Sequence, residues 1–455
     1  MTFDPPPPLE SPPQWQWPRQ LPGADTQRIV DVNFICSLEQ VPAPLQNSFQ
    51  GKLLTRLIAF AAQASPHWRE WLSRADMASL QVGGTGSLPV MDRASLRTMV
   101  EANGPLPLPR AHGATMPHAT SGSTGMPMSF FISEFALRVV RHHYAADHVR
   151  HGRNLLHKRA ALGSRIEPHP GREHVFAQGN PWLLESHIYT RRNIDFSMRE
   201  HAAWLAQLAP AYLACNPAML SGILEIYESG MAPAGGMQQL MTFGATVEPD
   251  LRERTRRVLG ASIRDRYSCE EIGPIALQCP HDTSDDPPYH VCVANAIVEV
   301  VDASGKACAP GQPGRVLVTG LHHWASPAIR YDIGDVACMR PQCSCGVQVP
   351  ALFNLLGRKT ALLRTPSGQA RFVRLTANDW LGIAMVREYR LLQQTRQTVR
   401  VELVTATALS ITQRTAIRAM LGERISPEFT WDLHELPAID WPPGDKRQDV
   451  VCLLQ

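Results

Sequence analysis

The run His118-Ala119-Thr120-Ser121-Gly122-Ser123-Thr124-Gly125-Met126-Pro127 is the segment whose residue types most directly suggest chemistry. Gly122 and Gly125 permit close backbone approach and positive φ, while the hydroxyls of Thr120, Ser121, Ser123 and Thr124 and the neighbouring N–H groups can converge on anionic oxygens. A loop of this composition suits a polyphosphate. It lacks the Gly-Lys-Ser/Thr close of a Walker loop and the glycine spacing of a dinucleotide loop, and a solvent-exposed Ser/Gly turn is the alternative reading. A second constellation, Cys279, His290, Cys343 and Cys345, offers three thiolates and an imidazole, the donor set of a closed tetrahedral zinc site, with His281 as a rival imidazole. Four unconnected side chains is the alternative there.

These residues need a scaffold, and 455 residues suffice for two or three domains with a large core. A net charge of +3 over that length gives no polyelectrolyte face, so nucleic acid is not an expected partner. The chain has no window of about 18 apolar residues and no basic-then-apolar leader, which predicts neither a membrane span nor secretion and points to the cytoplasm. Ten cysteines scattered along the chain fit reduced thiols plus metal ligands better than a disulfide framework.

Residues 1–30, with Pro5 to Pro8, Pro12 and Pro13, read as a disordered or extended arm, because proline donates no backbone hydrogen bond and little apolar surface is available to collapse. Leu53, Leu54, Leu57, Ile58 and Ala61 recur at helical spacing, and Ser65-Pro66 breaks the pattern before Trp68 and Trp71. From Ala111 to about Gly357, short apolar runs such as Ala296 to Val301 and Gly314 to Gly320 alternate with helical patterns, predicting α/β architecture. Beyond it, the alternation of Val399, Val401 and Leu403 predicts a strand, and Ile417, Met420 and Leu421 a helix face, in a smaller α+β unit. His142, His143 and Tyr144 fall on a helix-like stretch and read as packing or surface residues, with the acyl-pocket wall as the alternative.

From about residue 53 to 450 the motifs, taken in order, resemble those of the adenylate-forming superfamily of acyl-CoA synthetases, and within it the phenylacetate-CoA ligase-like branch. Ser65-Pro66-His67-Trp68-Arg69 and Leu88-Pro89-Val90-Met91-Asp92-Arg93 are similar to the segments preceding that family's phosphate loop, and the loop itself follows. Tyr267-Ser268-Cys269-Glu270-Glu271-Ile272-Gly273-Pro274 resembles the motif in which a tyrosine stacks near adenine and a glutamate holds magnesium, which implies those roles for Tyr267 and Glu271. Arg330-Tyr331-Asp332-Ile333-Gly334-Asp335 resembles the motif whose last aspartate accepts hydrogen bonds from the ribose, Gly357-Arg358 the hinge motif, and Pro443-Gly444-Asp445-Lys446 the segment delivering the adenylation lysine. The resemblance also places Cys-Pro, His and Cys-x-Cys-Gly elements where Cys279, His290, Cys343 and Cys345 stand, implying a structural zinc that braces loops near the nucleotide.

The family likeness implies a large N-terminal domain of sheets flanked by helices over residues 31–358 and a small mobile α+β lid over 359–455. It implies ATP, Mg²⁺ and CoA as reactants and cofactor: a small, aromatic carboxylic acid is adenylated, then passed to a thiol. A carrier protein loaded in trans, an amine acceptor and a non-catalytic nucleotide-binding relative are the competing readings, and a homodimer is an open alternative. The acyl pocket is expected between Trp182 and Gly244, with Trp182, Tyr189, Phe196 and Phe243 as aromatic walls. Three departures stand out: Met126 where lysine is frequent, Thr360 where the hinge usually has aspartate, and Ser268 in place of glycine.

Overall fold

Leu54, Leu57, Ile58 and Ala61 form one stripe of the helix Ala43–Ala64 and all four are buried. Ser65 ends this helix and caps the next, Pro66–Leu72: its N–H donates to Ala61 O and its hydroxyl accepts the Trp68 N–H. Pro66 sits at the first helical position, where a missing N–H costs nothing. The buried Trp68 and Trp71 rings then meet edge-on at 5.5 Å.

The computed structural model describes residues 23–74, 85–119, 129–154, 157–163, 188–192, 196–284, 286–355, 362–368, 370–373, 375, 379–380, 382–440 and 450–454. The prolines of the expected N-terminal arm lie outside these residues. Its last part is corrected: a helix runs from Gly23 to Leu38, because no proline follows Pro22 until Pro42 and Val32, Ile35 and Leu38 pack into the core.

β1 (Thr115–Ala119) and β2 (Ser129–Ser133) are an antiparallel pair whose last rung, Ala119 opposite Ser129, flanks the glycine-rich loop. Eleven further strands follow: β3 (Arg159–Gly163), β4 (Ile188–Arg192), β5 (Tyr212–Cys215), β6 (Gln239–Phe243), β7 (Ser262–Cys269), β8 (Gly273–Gln278), β9 (Tyr289–Val291), β10 (Ala296–Val301), β11 (Gly314–Gly320), β12 (Tyr331–Arg340) and β13 (Ala351–Phe353). They form one sheet in the order β10-β11-β12-β13-β9-β8-β7-β6-β5-β3-β4, parallel from β4 to β7 and antiparallel from β7 to β10. Helices Met198–Leu208, Pro217–Glu228 and Pro249–Leu259 cover one face of the parallel part, sharing a core with Leu162, Leu213, Leu240 and Ile263. Helix Glu134–Arg150 lies against β7 through Asp147.

Past β14 (Leu362–Arg364) and β15 (Ala370–Phe372), β16 (Val386–Gln393), β17 (Thr398–Thr405), β18 (Thr430–Glu435) and β19 (Val450–Cys452) form a four-stranded sheet in the order β18-β17-β16-β19. Val399, Val401 and Leu403 on β17 and Ile417 and Leu421 on helix Ile411–Arg424 are buried together, as their spacing predicts, in a core separate from the others. The α/β fold class is the one read from the sequence.

Asn295 fixes the turn between β7 and β8: fully buried, it donates its amide to Ile272 O at 3.1 Å and to Pro274 O at 2.8 Å. Replacing Asn295 with Ala would remove one donor from each of two buried carbonyls, so urea unfolding should report a loss of about 1–3 kcal/mol. An unchanged midpoint would mean that the turn does not depend on this clamp.

Candidate active site

β7 delivers Tyr267 and runs into a three-residue turn, Glu270 to Ile272, before β8 returns opposite it, with Cys269 facing Gly273. Gly273 has φ +81°, and a Cβ there would stand 2.6 Å from Val140 Cγ2, so only glycine closes this turn against helix Glu134–Arg150. Glu271, at the turn, is buried, with Arg93 Nη1 3.5 Å from its Oε1. Arg93 also hydrogen-bonds the Tyr331 side chain, and thereby ties the turn to the start of β12.

β12 is bent by an irregularity that exposes its acid. On β11, Val316 alone lies between Arg315 and Leu317, whose partners are Val336 and Asp332, so Ile333, Gly334 and Asp335 bulge out of the ladder. Gly334 takes φ +88°, and its N–H donates to Asp332 Oδ1. Just before the bulge, Arg330 is held at φ +49°, a conformation that costs a non-glycine residue about 1–2 kcal/mol. Its guanidinium offsets that cost by donating to Gly86, Leu88 and Gly305 carbonyls and pairing with Glu299.

The consequence is a contact between strands four steps apart in the sheet: the Tyr267 hydroxyl donates to Asp335 Oδ2 at 2.8 Å. Burial, and then the Asp335 carboxylate, hold the Tyr267 hydroxyl well above its ordinary pKa, so it stays a donor. Burial and Glu271 likewise keep the Cys269 thiol protonated, which removes it as a nucleophile. His118, at the end of β1, places Nε2 2.9 Å from Glu270 Oε2, so the strand entering the glycine-rich loop is tied to the Glu271 turn.

Of the residues singled out by sequence, Tyr267, Glu271 and Asp335 therefore converge. Thr120, Ser121, Gly122, Ser123, Thr124, Gly125, Met126, Trp182, Arg358, Thr360 and Lys446 lie outside the described residues. The roles of Arg93 and His118 are not legible in the sequence: their partners are 178 and 152 residues away, a separation that spacing alone cannot bridge.

Cys279, His290, Cys343 and Cys345 also converge, with all four donor atoms within 4.8 Å of one another. Cys343 Sγ is 4.0 Å from Cys279 Sγ, and Cys345 Sγ is 3.4 Å from His290 Nε2. A tetrahedron built on metal–sulfur bonds of about 2.3 Å and metal–nitrogen bonds of about 2.0 Å needs ligand separations of roughly 3.4–3.8 Å, so the four residues fit zinc. Burial, and then Arg150, lower the His290 pKa to about 4 and keep its lone pair available. Burial raises the Cys279 thiol to about 12, a penalty that a bound cation would offset. The four residues join the end of β8, β9 and the connection from β12 to β13.

The family model for AMP-binding enzymes matches residues 107–324, a span holding the glycine-rich loop, Tyr267 and Glu271. A phenylacetate-coenzyme A ligase of Thermus thermophilus is 25% identical over 343 residues, covering 72% of this chain and 73% of that protein. A 2-hydroxyisobutyryl-CoA ligase solved with 2-HIB-AMP in the postadenylation state shares the fold, with TM-score 0.69, 17% identity and 96% of each chain covered. An O-succinylbenzoate coenzyme A synthetase of Bacillus subtilis in complex with AMP superimposes with TM-score 0.53 and 16% identity, over 74% of this chain and 68% of that one.

Proposed function

We propose that this chain is a member of the adenylate-forming superfamily, an AMP-forming acid–thiol ligase that adenylates a small carboxylic acid and transfers the acyl group to CoA. The observation that carries the reading is the hydrogen bond from Tyr267 to Asp335 beside Glu271, which brings two distant motifs to one place. Asp335, raised on its bulge, accepts the ribose hydroxyls, and Tyr267 packs near the adenine. Arg358 approaches the same ribose, and Thr360 belongs to the hinge about which the C-terminal unit turns between the two half-reactions.

In the first half-reaction the acid's carboxylate oxygen attacks the α-phosphorus of ATP, the bond to the β-phosphate oxygen breaks, and pyrophosphate leaves. Thr120 to Gly125 hold the β- and γ-phosphates through N–H and hydroxyl donors, and Lys446 sits between the attacking carboxylate and the α-phosphate. These groups are aimed where charge develops, which lowers the barrier without any covalent enzyme intermediate. Glu271 would hold Mg²⁺, which supplies positive charge against the phosphate oxygens, and Arg93 orients that glutamate. In the second half-reaction a thiol attacks the acyl carbonyl and AMP leaves.

An aromatic acid is the specificity that the phenylacetate-CoA ligase likeness favours. Tyr189 and Phe243 remain candidates for its walls, whereas Phe196 is engaged in packing: Arg191 lies 3.5 Å over its ring and His201 meets it edge-on. The second reading, loading of a carrier protein or an amine, differs in the acceptor alone and would give acid-dependent pyrophosphate release with no response to CoA.

Acid-dependent exchange of pyrophosphate into ATP is the direct test. Lys446→Ala should lower it by about 10²-fold, the loss typical of one preorganised stabilising donor. Exchange near the wild-type rate would remove Lys446 from the mechanism. The zinc site is a closed structural staple in this reading, so metal analysis of the purified chain should give close to one zinc per chain. Cys343→Ser should lose that zinc and unfold at a lower temperature; zinc-free wild-type protein of full stability would overturn the assignment.

A further inference from the structure

The C-terminal unit carries a cavity of its own. Helix Ile411–Arg424 and the start of β18 enclose about 580 Å³, with Arg418, Ala419, Gly422 and Glu423 along the helix side. Pro427, Phe429 and Trp431 line the other side. Phe429 and Trp431 are 6% and 5% exposed and their rings meet edge-on at 5.3 Å, which gives the cavity an aromatic floor. At about 100° per residue, Ala419 and Gly422 stand at the middle of the helix wall, with Arg418 and Glu423 on its two flanks.

The wall is open because its middle is small, and the backbone does not ask for that. Gly422 has no positive φ, and a Cβ there would meet only Pro427 Cα, at 3.8 Å, an ordinary contact. Alanine would therefore fit and would favour the helix, whereas glycine leaves space over the floor. The polar groups around that space are only partly engaged. Arg418 Nε donates to Trp431 O at 3.1 Å, which fixes the guanidinium beside the cavity, and no other hydrogen bond or ion pair holds Arg418 among the described residues. Glu423 is exposed on the opposite flank. Two charges in the adjoining segments are already matched, Glu428 by Ser367 and Arg424 by Asp379. The Trp431 indole Nε1 is buried without a hydrogen-bond partner among the described residues, a costly state for a donor.

We propose that this cavity binds an α-amino acid with an aromatic side chain, its carboxylate on Arg418, its ammonium on Glu423 and its ring over Phe429 and Trp431. A cation and an anion on opposite flanks of an aromatic floor select this class. A simple carboxylate would meet repulsion from Glu423, a simple amine repulsion from Arg418, and a neutral aromatic would answer neither charge. The carboxylate also brings acceptors to a wall that offers the Arg418 guanidinium and the Trp431 N–H as donors. The cavity shares no residue with Tyr267, Glu271 or Asp335, so the proposal stands apart from the ligase reading and adds a ligand site outside the reaction centre.

Calorimetric titration of the full chain tests this with L-phenylalanine and L-tryptophan, each against the acid that lacks its ammonium and the amine that lacks its carboxylate. At least one of the two amino acids should bind saturably, and its matched acid and amine should bind to the cavity about tenfold more weakly, the order lost with one charge-assisted hydrogen bond. Glu423→Gln should weaken the amino acid by about the same factor with an unchanged melting temperature. Gly422→Leu, which fills the cavity, should abolish binding, and the Trp431 indole N–H resonance, identified through Trp431→Phe, should shift on saturation of the wild-type protein. Should Gly422→Leu fail to fold, Glu423→Gln and the Trp431 resonance still decide. Acid or amine binding that equals that of the amino acid and is likewise lost in Gly422→Leu overturns the amino-acid class. Binding that survives Gly422→Leu, or that leaves the Trp431 resonance unmoved, overturns the placement. Absence of saturable binding by either amino acid overturns the site.

Discussion

The structure depends on one contact, the hydrogen bond that crosses from Tyr267 on β7 to Asp335 on β12. Four strand steps separate these residues in the sheet, and a flat sheet would hold them far beyond hydrogen-bond reach. The contact exists because β12 changes partner along its length, pairing with β11 up to Ala337 and with β13 from Cys338, and because the Ile333-Gly334-Asp335 bulge lifts the carboxylate out of the ladder. A neutral donor against a charged, partly buried acceptor is worth about 1.5–3 kcal/mol, enough to set a side-chain rotamer. Arg330 and Arg93 hold the two ends of this arrangement, one by clamping the backbone before the bulge and the other by bridging Glu271 and Tyr331.

The positions of the charges follow from that frame. Glu271 is buried beside an arginine, Asp335 accepts from a tyrosine that stays protonated, and the cluster of Cys279, His290, Cys343 and Cys345 lies where the end of β8, β9 and the connection after β12 come together. The chemistry proposed for the site is positioning and charge stabilisation, which side chains held on strands and tight turns serve by staying in place.

Much of the scaffold could be read from the sequence, because periodicity reports directly on local structure. The strands Ala296–Val301 and Gly314–Gly320 appear with the bounds of their apolar runs, and Leu54 to Ala61 and Ile417 to Leu421 bury the faces that their spacing marks. Tyr267, Glu271 and Asp335 were found through motif likeness, and the cysteines and histidine through donor chemistry. What escaped the sequence depends on long-range closure. The Arg93 bridge joins residues 178 apart, Arg266 reaches Asp147 across 119 residues, and the β12 bulge is defined only by the register of its partner. The end of the expected arm belongs to the helix Gly23–Leu38, whose Val32 and Ile35 are buried in a core that the proline-rich composition upstream does not reveal.

The central claim is that Asp335, presented by Tyr267, reads the ribose. Calorimetric titration with AMP and with 2′,3′-dideoxy-AMP measures this directly. The account predicts that wild-type protein binds AMP at least tenfold more tightly and that Asp335→Ala erases the difference. Equal affinity of the wild-type protein for the two nucleotides would contradict it.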